Sequence, residues 1–349
     1  MSNTQSPSHS IDTVLRINNV SVYHNHEALL KQINLDIEKG SFHCLIGESG
    51  SGKSLLTRTV LNMKQDDLTY RGDIHIDLTQ TDAMFQDANR NFFQNVRIKR
   101  HFDALFDSMS SSLTRDEQKS FVLRQFKHLG LDQPESIYYQ YPFQLSGGMA
   151  QRVALVMSIV RETQFLIADE PTTALDVTMQ AQILDLMKEL QQKIDTSIIF
   201  ITHDLGVVAN VADRVAVMYG GQMIETGNID EIFYDPKHPY TWGLLSSMPD
   251  LTTSNETELI AIPGTPPDLL HPPKGDAFAR RSQYALDIDF KEAPPWFKVS
   301  PTHYVKSWLL DERAPKVEPP AMVQKRQRQM PNNYDKPRRV ERVSFDGEE

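Results

Sequence analysis

Cysteine is almost absent from this chain. Cys44 is the single cysteine among 349 residues, which excludes an intrachain disulfide and a metal cluster held by cysteines alone. Long apolar runs are also missing, since no stretch approaches the ~18 residues that a membrane-spanning helix needs. The polar N-terminus has neither the basic nor the apolar region of a signal peptide. We therefore expect a soluble, cytosolic and globular protein whose role at a membrane, if any, is peripheral.

Basic residues are outnumbered by acidic ones. The chain has 46 Asp and Glu against 36 Lys and Arg, a formal net charge of −10. Nucleic acid is a poor default partner for so acidic a chain, although a local basic patch could still bind it. Hydrophobic residues make up 40% of the chain, which is enough for a sizeable core. At ~150 residues per domain the length predicts about two domains.

Strand-like and helix-like apolar patterns alternate over most of the chain, which predicts an α/β fold with a parallel sheet. The polar region from about 88 to 146 is helical in character, with apolar residues at helical spacing in DEQKSFVLRQFKHLGL. Of the 20 prolines, 13 lie at or after Pro263, and this segment is expected to be an irregular extension. After about Ala314 the chain becomes polar with basic clusters, for which we expect disorder.

A glycine-rich motif follows the apolar run Phe42–Ile46 and precedes a helical pattern. Its glycines let the backbone wrap phosphates, and the helix that follows points its N–H groups at them. Lys53 is expected to reach the β- and γ-phosphates, and the Ser54 hydroxyl to bind Mg²⁺. The alternative is a glycine-rich hairpin turn. The motif matches G-x-x-x-x-G-K-[ST] with Gly47, Glu48, Ser49, Gly50, Ser51, Gly52, Lys53 and Ser54.

Two carboxylates end the apolar run Phe165–Ala168. Asp169 is expected to hold Mg²⁺ through its water shell. Glu170, one residue on, is placed to activate an attacking water as the general base. Acidic residues often end strands, so this pattern alone is weak. The phosphate-binding motif upstream makes it the expected second half of the same site.

A serine and two adjacent glycines open an apolar helix in LSGGM, residues 145–149. Ser146, Gly147 and Gly148 predict a second anion-binding nest, and the simpler alternative is a helix N-cap at Ser146. A chain with one complete phosphate loop needs a second cradle only if the two act on nucleotides in different subunits. The stretch resembles the signature of the ATP-binding subunits of ABC transporters. In that family the LSGG of one subunit closes on the γ-phosphate held by its partner.

The other motifs of that family are present in order. The resemblance implies that Gln86 senses the γ-phosphate, contributes to the Mg²⁺ site and couples to membrane subunits. Ala174–Asp176 resembles the loop that crosses the dimer interface, with Asp176 near the nucleotide, and His203 resembles the switch histidine that contacts the γ-phosphate. Tyr23 stands where the family has an aromatic that stacks on adenine, although His24 is adjacent. Taken singly, each of these is equally an ordinary core, surface or loop residue.

The segment after the α/β core resembles one branch of the family. HPYTWGLLS at 238–246, IPGTPPD at 262–268 and the methionine of LSGGM are similar to oligopeptide and dipeptide permease ATPases. Related importers of nickel and some sugars share this segment.

Two departures from that branch stand out. Asp276 and Ser282 occupy positions where many members have cysteines that hold an iron–sulfur cluster, so no such cluster is expected here. The spacing of 33 residues between Lys53 and Gln86 is short for the branch. The resemblance therefore implies no specific contacts between this region and the membrane subunits.

The resemblance implies a P-loop NTPase core of ABC type. It adds an N-terminal antiparallel β subdomain, an inserted helical subdomain and an irregular C-terminal extension. The expected boundaries are a disordered leader over 1–13, a nucleotide-binding domain over 14–250 with its helical subdomain at about 88–146, an extension over 251–314 and a disordered tail over 315–349.

The implied function is ATP hydrolysis that energises an importer, with oligopeptides or dipeptides as the solute. Glu170, His203, Gln86 and Lys53 carry the catalysis, with ATP and Mg²⁺ as cofactors. The implied partners are a second ABC ATPase subunit (another chain favoured, an identical one possible), two transmembrane permease subunits and an extracytoplasmic solute-binding protein. The chain would act at the cytoplasmic face of the cell membrane. The alternatives are a soluble ABC ATPase acting on nucleic acid or ribosomes, and an importer of nickel or another small solute.

Overall fold

The computed structural model describes residues 12–87, 91–172, 176–248, 261–330 and 340–345. The expected leader, residues 1–13, lies outside this part of the chain except for its last two residues, and Thr13 already begins the first strand. The strands are β1 (Thr13–His24), β2 (Glu27–Glu38), β3 (Phe42–Ile46), β4 (Leu68–Ile76), β5 (Thr81–Met84), β6 (Phe165–Asp169), β7 (Ser197–Thr202), β8 (Arg214–Tyr219), β9 (Gln222–Asn228), β10 (Trp296–Lys298), β11 (Tyr304–Lys306) and β12 (Glu341–Val343).

The α-helices of the described residues follow the same order. They are α1 (Lys53–Val60), α2 (Ile98–Ser108), α3 (Arg115–His128), α4 (Pro134–Tyr139), α5 (Gly147–Arg161), α6 (Val177–Ile194), α7 (Leu205–Val211), α8 (Ile229–Tyr234), α9 (Pro239–Ser246) and α10 (Ala321–Arg328). None of them is long and apolar enough to cross a membrane.

A small antiparallel sheet has the order β2-β1-β4. Strand β1 buries Leu15, Ile17, Val20 and Val22, the alternation expected where one face of a sheet packs on a core. The hairpin between β1 and β2 turns at Asn25, whose φ of 57° is tolerated by asparagine. The predicted antiparallel β subdomain is therefore present.

The large sheet has the order β12-β10-β11-β9-β8-β3-β7-β6-β5, and its segment β8-β3-β7-β6-β5 is parallel. Every residue of β3, β6 and β7 is buried, because helices or the small sheet cover both faces and the strands read as continuous apolar runs. Alternate residues enter two cores: Cys44 and Ile46 join one, and Leu45 joins the other. The predicted parallel sheet is confirmed.

Three helices, α2, α3 and α4, fill the region predicted to be helical. Helices α2 and α3 pack on α4 and on α5, and the rings of Phe102 in α2 and Phe126 in α3 meet edge to face. Phe102, Val122 and Phe126 are fully buried in this group. Helix α3 begins with a capping box in which Thr114 and Glu117 bond each other's backbone N–H, and such a box satisfies two otherwise unpaired donors. This group lies between β5 and β6 in the chain and is thus inserted into the large sheet's connections.

The C-terminal extension is more regular than its prolines predicted. Strands β10 and β11 continue the large sheet beyond β9, with Tyr304 paired to Thr226. Each strand is only three residues long, too short for alternation to predict. Their stability comes from the sheet edge that they extend, which no local pattern records.

The prediction of a disordered tail after residue 314 is wrong for two described segments. Helix α10 packs on α8 and α9, and Val323 is completely buried there. The guanidinium group of Arg326 lies over the Phe233 ring, and the side-chain amide of Gln327 donates to Asp235. Strand β12 then pairs with β10. The helix is polar in composition, so tertiary contacts rather than an apolar stripe hold it in place.

Candidate nucleotide-binding site

Four of the predicted site residues follow the carboxyl ends of neighbouring parallel strands. The strands β3, β7, β6 and β5 lie side by side, so these ends meet at one edge of the sheet, where α/β folds bind ligands. The residues are Gly47 after β3, His203 after β7, Glu170 after β6 and Gln86 shortly after β5. Strand order therefore brings together parts that lie far apart in the sequence.

The phosphate loop between β3 and α1 depends on glycine at two positions. Gly52 has φ 102°, and a Cβ there would stand 2.7 Å from Cδ2 of Leu30. A Cβ on Gly47 would collide with the carbonyl oxygen of Met218. Gly50 faces open space. The backbone is thus packed on one side and open on the other, which suits a loop that wraps a phosphate chain.

Lys53 is buried at the start of α1, inside the loop. Its Nζ donates to the carbonyl oxygens of Gly47 at 2.7 Å and Glu48 at 2.9 Å. Burial lowers the pKa of Lys53, while the nearby carboxylates of Glu170 and Asp169 act in the opposite direction. The ammonium group therefore lies between the loop backbone and the acidic strand end.

Asp169 is buried at the end of β6 and accepts a hydrogen bond from Ser54. Burial raises the pKa of this carboxyl group, and the Ser54 bond and the Lys53 charge oppose that rise. A carboxylate beside a hydroxyl group, both within reach of a phosphate loop, is the oxygen donor set that Mg²⁺ prefers. These two residues fit the metal that the sequence predicted.

Glu170 is the point at which three strand ends converge. Gln86 donates from Nε2 to Oε2 of Glu170 at 3.1 Å, and Nδ1 of His203 lies 3.2 Å from Oε1. The Glu170 side chain is 18% exposed, whereas that of His203 is 60% exposed. Glu170 also has φ 49°, an unfavourable value for a residue with a side chain, and its N–H donates to the carbonyl of Ile201 at 2.9 Å. Backbone strain of this kind concentrates at functional sites.

The signature residues lie apart from this cluster. Ser146 caps α5 by accepting from the N–H of Met149 at 3.3 Å, and both Ser146 and Gly147 are exposed while Gly148 is half-buried. Asp176 caps α6 by accepting from Met179 at 2.9 Å. Within the described ranges, no hydrogen bond or ion pair joins these residues to the phosphate loop. Ala174 and Leu175 lie outside the described residues.

Tyr23 lies on β1 near the hairpin that borders the phosphate loop. Strand β2 pairs with β1 across this hairpin and contains Leu30, the residue that packs against Gly52 of the phosphate loop. The ring of Tyr23 is half-buried, and the guanidinium group of Arg71 covers it at 5.1 Å from the centroid. One face of the ring is therefore already occupied by a cation from β4.

Sequence reasoning missed one set of residues at the phosphate loop. Arg281, in the C-terminal extension, pairs with Glu48, and the Tyr240 hydroxyl accepts from the Glu48 N–H at 2.8 Å. Nothing in the sequence distinguishes Arg281, which precedes Ser282, from the other basic residues of the extension. Its partner is 233 positions away, and no local signal predicts such a contact.

Two family models match the chain. The family described as ABC transporter matches residues 30–173, and the one described as oligopeptide/dipeptide transporter, C-terminal region, matches residues 224–288. The oligopeptide transport ATP-binding protein OppD of Bacillus subtilis (strain 168) is 50% identical over 333 residues, which cover 90% of this chain and 92% of that protein. The dipeptide transport ATP-binding protein DppD of Lactococcus lactis subsp. cremoris (strain MG1363) is 44% identical and covers 88% and 94%.

Solved structures share the fold. The protein cbiO1 of Clostridium perfringens, part of the ABC transporter complex cbiONQ, has a TM-score of 0.52 at 28% identity, covering 64% of this chain and 92% of that one. A dimeric ATP-binding cassette in a post-hydrolysis state, bound to ADP and Pi, has a TM-score of 0.54 at 24% identity, covering 62% and 98%. The second likeness shows the fold alone. The predicted fold class is confirmed.

Proposed function

The chain belongs to the ABC transporter family of ATP-binding subunits, and on that premise we propose that it hydrolyses ATP to energise the import of oligopeptides or dipeptides. The convergence of Gln86 and His203 on Glu170 supports the hydrolytic part, because it orients a carboxylate beside the phosphate loop. The family match of the C-terminal segment supports the peptide part. Residues 14–250 would form the nucleotide-binding domain and 251–314 the extension.

In the proposed reaction, water attacks the γ-phosphorus and the bond to the β-phosphate oxygen breaks, giving ADP and phosphate. The loop amides and Lys53 hold the phosphate oxygens and balance their charge. Glu170 accepts the proton of the attacking water, and His203 and Gln86 fix the orientation of its carboxylate. Ser54 and Asp169, with Gln86, would hold a Mg²⁺ ion, which supplies charge neutralisation at the β- and γ-phosphates.

The exposed signature would complete the site of a second subunit. Ser146 presents its hydroxyl group and the N-terminus of α5 to solvent, and a helix N-terminus attracts phosphate. The exposed Asp176 lies on the same proposed interface. Two subunits face to face would then enclose two ATP molecules. The partner is a second ABC ATPase subunit, with another chain favoured over an identical one.

Coupling to transport requires further chains. We place this subunit at the cytoplasmic face of the membrane, bound to two transmembrane permease subunits that receive solute from an extracytoplasmic binding protein. A soluble ABC ATPase acting on nucleic acid is disfavoured by the net charge of −10. The basic residues after 314 are the segment of the chain that could otherwise bind nucleic acid, and one of them, Arg326 of α10, instead packs on the Phe233 ring.

Uptake by cells lacking this chain tests the proposal. Deletion should abolish the uptake of radiolabelled di- to pentapeptides and leave nickel uptake unchanged. The wild-type gene should restore uptake. Lys53→Ala should not, because it removes the charge opposed to the β- and γ-phosphates. The matched control is Lys316→Ala, at an exposed lysine outside the predicted site residues, which should restore uptake fully.

Two outcomes would contradict the proposal. Loss of nickel uptake with intact peptide uptake would show that the chain energises the import of nickel rather than peptides, and would leave its proposed ATPase activity intact. Full restoration by Lys53→Ala, at wild-type protein levels, would remove the phosphate loop from the mechanism.

A further inference from the structure

Arg281 is a nearly buried cation where the C-terminal extension meets the phosphate loop. Its side chain is 6% exposed, and Nη1 and Nη2 donate to the two carboxylate oxygens of Glu48 at 2.5 and 3.0 Å. Two parallel bonds of this kind form the strongest and most directional pairing that arginine makes with a carboxylate. The pair therefore bridges the extension and the nucleotide site.

The other contacts of Arg281 hold its guanidinium group in one orientation. Nη1 also donates to the Tyr219 hydroxyl at 3.1 Å, and Nε donates to the carbonyl of Pro263 at 2.7 Å. The rings of Tyr219 and Phe278 pack edge to face at 5.3 Å beside it. Residues of the nucleotide-binding domain and of the extension therefore orient the Arg281 guanidinium group independently of its bonds to Glu48.

Glu48 is held at its main chain as well as at its carboxylate. Its N–H donates to the Tyr240 hydroxyl, and its carbonyl oxygen accepts from Nζ of Lys53 at 2.9 Å. Any displacement of Glu48 therefore moves the backbone that positions the Lys53 ammonium group. The carboxylate is also a negative charge in a loop built for phosphates, and without a partner it would repel them.

We infer that Arg281 is a positioning residue for nucleotide binding, which neutralises Glu48 and fixes the phosphate loop so that the C-terminal extension sets the affinity of the site for ATP. The inference rests on the proposed ATP-binding role of the loop and adds a residue from outside the nucleotide-binding domain. Arg281 acts through Glu48 and contacts no reacting atom.

Replacing Arg281 tests this in the full chain. For Arg281→Ala we expect the dissociation constant of a fluorescent ATP analogue, and the KM for ATP, to rise about ten-fold, the scale of losing a charge-assisted bond. The kcat at saturating ATP should stay within about two-fold of wild type, because the groups that act on water are untouched. Arg281→Lys should fall between, since an ammonium group neutralises Glu48 but cannot make both bonds.

The matched control is Arg280→Ala. Arg280 is the adjacent arginine and is exposed, so its loss should change ATP affinity by no more than about two-fold. An equal loss in Arg280→Ala and Arg281→Ala would overturn the inference, because net charge alone would then explain it.

A double-mutant cycle separates action through Glu48 from a structural role in the extension. Glu48→Gln removes the repelling charge, so Arg281→Ala in that background should cost about two-fold or less, instead of ten-fold. Losses that simply multiply would overturn the inference, as would an unchanged affinity in the single variant. If Arg281→Ala fails to fold, the comparison of Glu48→Gln/Arg281→Lys with Arg281→Lys gives the same test.

The same data separate this inference from the proposed function. Failure of wild type and of Arg280→Ala to bind ATP would contradict the ATP-binding role itself. Tight binding by both, with wild-type affinity in Arg281→Ala, would contradict only the role of Arg281.

Discussion

Glu170 uses both of its carboxylate oxygens in contacts with residues from other strand ends. Gln86 takes one oxygen and His203 the other, and the backbone of Glu170 is itself in an unfavourable conformation. A carboxylate held in this way is already ordered before substrate binds, so little further conformational entropy is lost in the reaction. A positioned general base requires this.

We predict that Glu170→Gln binds ATP as well as wild type but hydrolyses it more slowly, by about two to four orders of magnitude, the usual contribution of a general base. The amide keeps the shape of the side chain and loses its basicity. ATP-bound subunits should then accumulate as a closed dimer, with this chain or with a partner ATPase. Phosphate release and size-exclusion chromatography with ATP and Mg²⁺ measure the two effects.

The control for that experiment is Glu312→Gln, at an exposed glutamate far from the site in sequence, which should behave as wild type. Hydrolysis by Glu170→Gln at the wild-type rate would remove Glu170 from the mechanism. Loss of nucleotide binding would point to a structural or metal-binding role.

At the scale of elements, helix α5 is preceded by an N-cap residue, Ser146, that is assigned two roles. Ser146 caps the helix, and the proposed function has the same residue facing the nucleotide of a partner subunit. A substitution that satisfies the cap and opposes the phosphate distinguishes the two roles.

We predict that Ser146→Asp keeps the stability of α5, because aspartate is as good an N-cap as serine. Binding of ATP to the chain's own phosphate loop should also persist. The added charge should instead prevent ATP-driven dimerisation and reduce hydrolysis at least about ten-fold, through repulsion of the γ-phosphate. Thermal unfolding, ATP binding and chromatography with ATP report on the three properties separately.

Thr114→Asp adds the same charge at the exposed N-cap of α3 and should leave dimerisation intact. Normal ATP-driven dimerisation of Ser146→Asp would argue against a signature that meets a partner's nucleotide.

Helix α10 is stabilised through one apolar side chain and a few polar contacts. We predict that Val323→Ala, which deletes two fully buried methyl groups, weakens its docking by about 2 kcal/mol. Amide exchange in residues 323–328 should then be faster by about 30-fold, since local opening controls it. Arg328→Ala, at an exposed residue of the same helix, should leave exchange unchanged. Equal exchange in wild type and Val323→Ala would show that the valine does not anchor α10.

The whole molecule contains buried groups that make its stability depend on pH. Burial lowers the pKa of His238 to about 4 and that of His43 to about 3. Burial alone would raise the pKa of Glu225. The bond to His303 at 2.8 Å, the electrostatic attraction of His303, and the bonds from Thr241 and the Lys237 N–H together outweigh burial, and the pKa is lowered. In each case the unfolded chain binds more protons than the folded chain over the range between the two pKa values.

These pKa shifts determine whether stability rises or falls with pH. The stability that these histidines contribute should be fully present above about pH 6.5, the ordinary histidine pKa. It should decline as the pH falls toward 4 and the unfolded histidines take up protons, and Glu225 should add to the loss below about 4.5. Burial raises the pKa of Asp276 to about 7, which contributes stability in the opposite direction over the same range. Urea unfolding of wild type and of a histidine variant at a series of pH values therefore isolates the histidine contribution as the difference between the two curves.

We predict that His238→Asn makes the decline shallower by about 1.4 kcal/mol per pH unit between pH 5.5 and 4.5, the contribution of one proton. Asparagine can still accept from the Tyr240 N–H as His238 does. The control His26→Asn, at an exposed histidine, should leave the slope unchanged. Parallel curves for wild type and His238→Asn would assign the acid sensitivity to other groups.

Short-range chemistry made much of this protein readable from its sequence. A phosphate loop needs glycines, a lysine and a hydroxyl group within eight residues, and a buried strand needs a continuous apolar run that ends in a polar residue. The phosphate loop and the parallel sheet followed from such patterns, whereas the small antiparallel sheet was implied by the family resemblance.

Only the tertiary structure decided which distant residues meet. Strand order cannot be read from the chain, so the approach of Gln86 and His203 to Glu170 appeared only once β5, β6 and β7 were seen as neighbours. The bridge from Arg281 to Glu48 and the docking of α10 depend in the same way on surfaces formed by the folded core. Such contacts join residues that lie far apart in the sequence. The local sequence around one residue does not predict the other, because the two interact only after folding has brought them together.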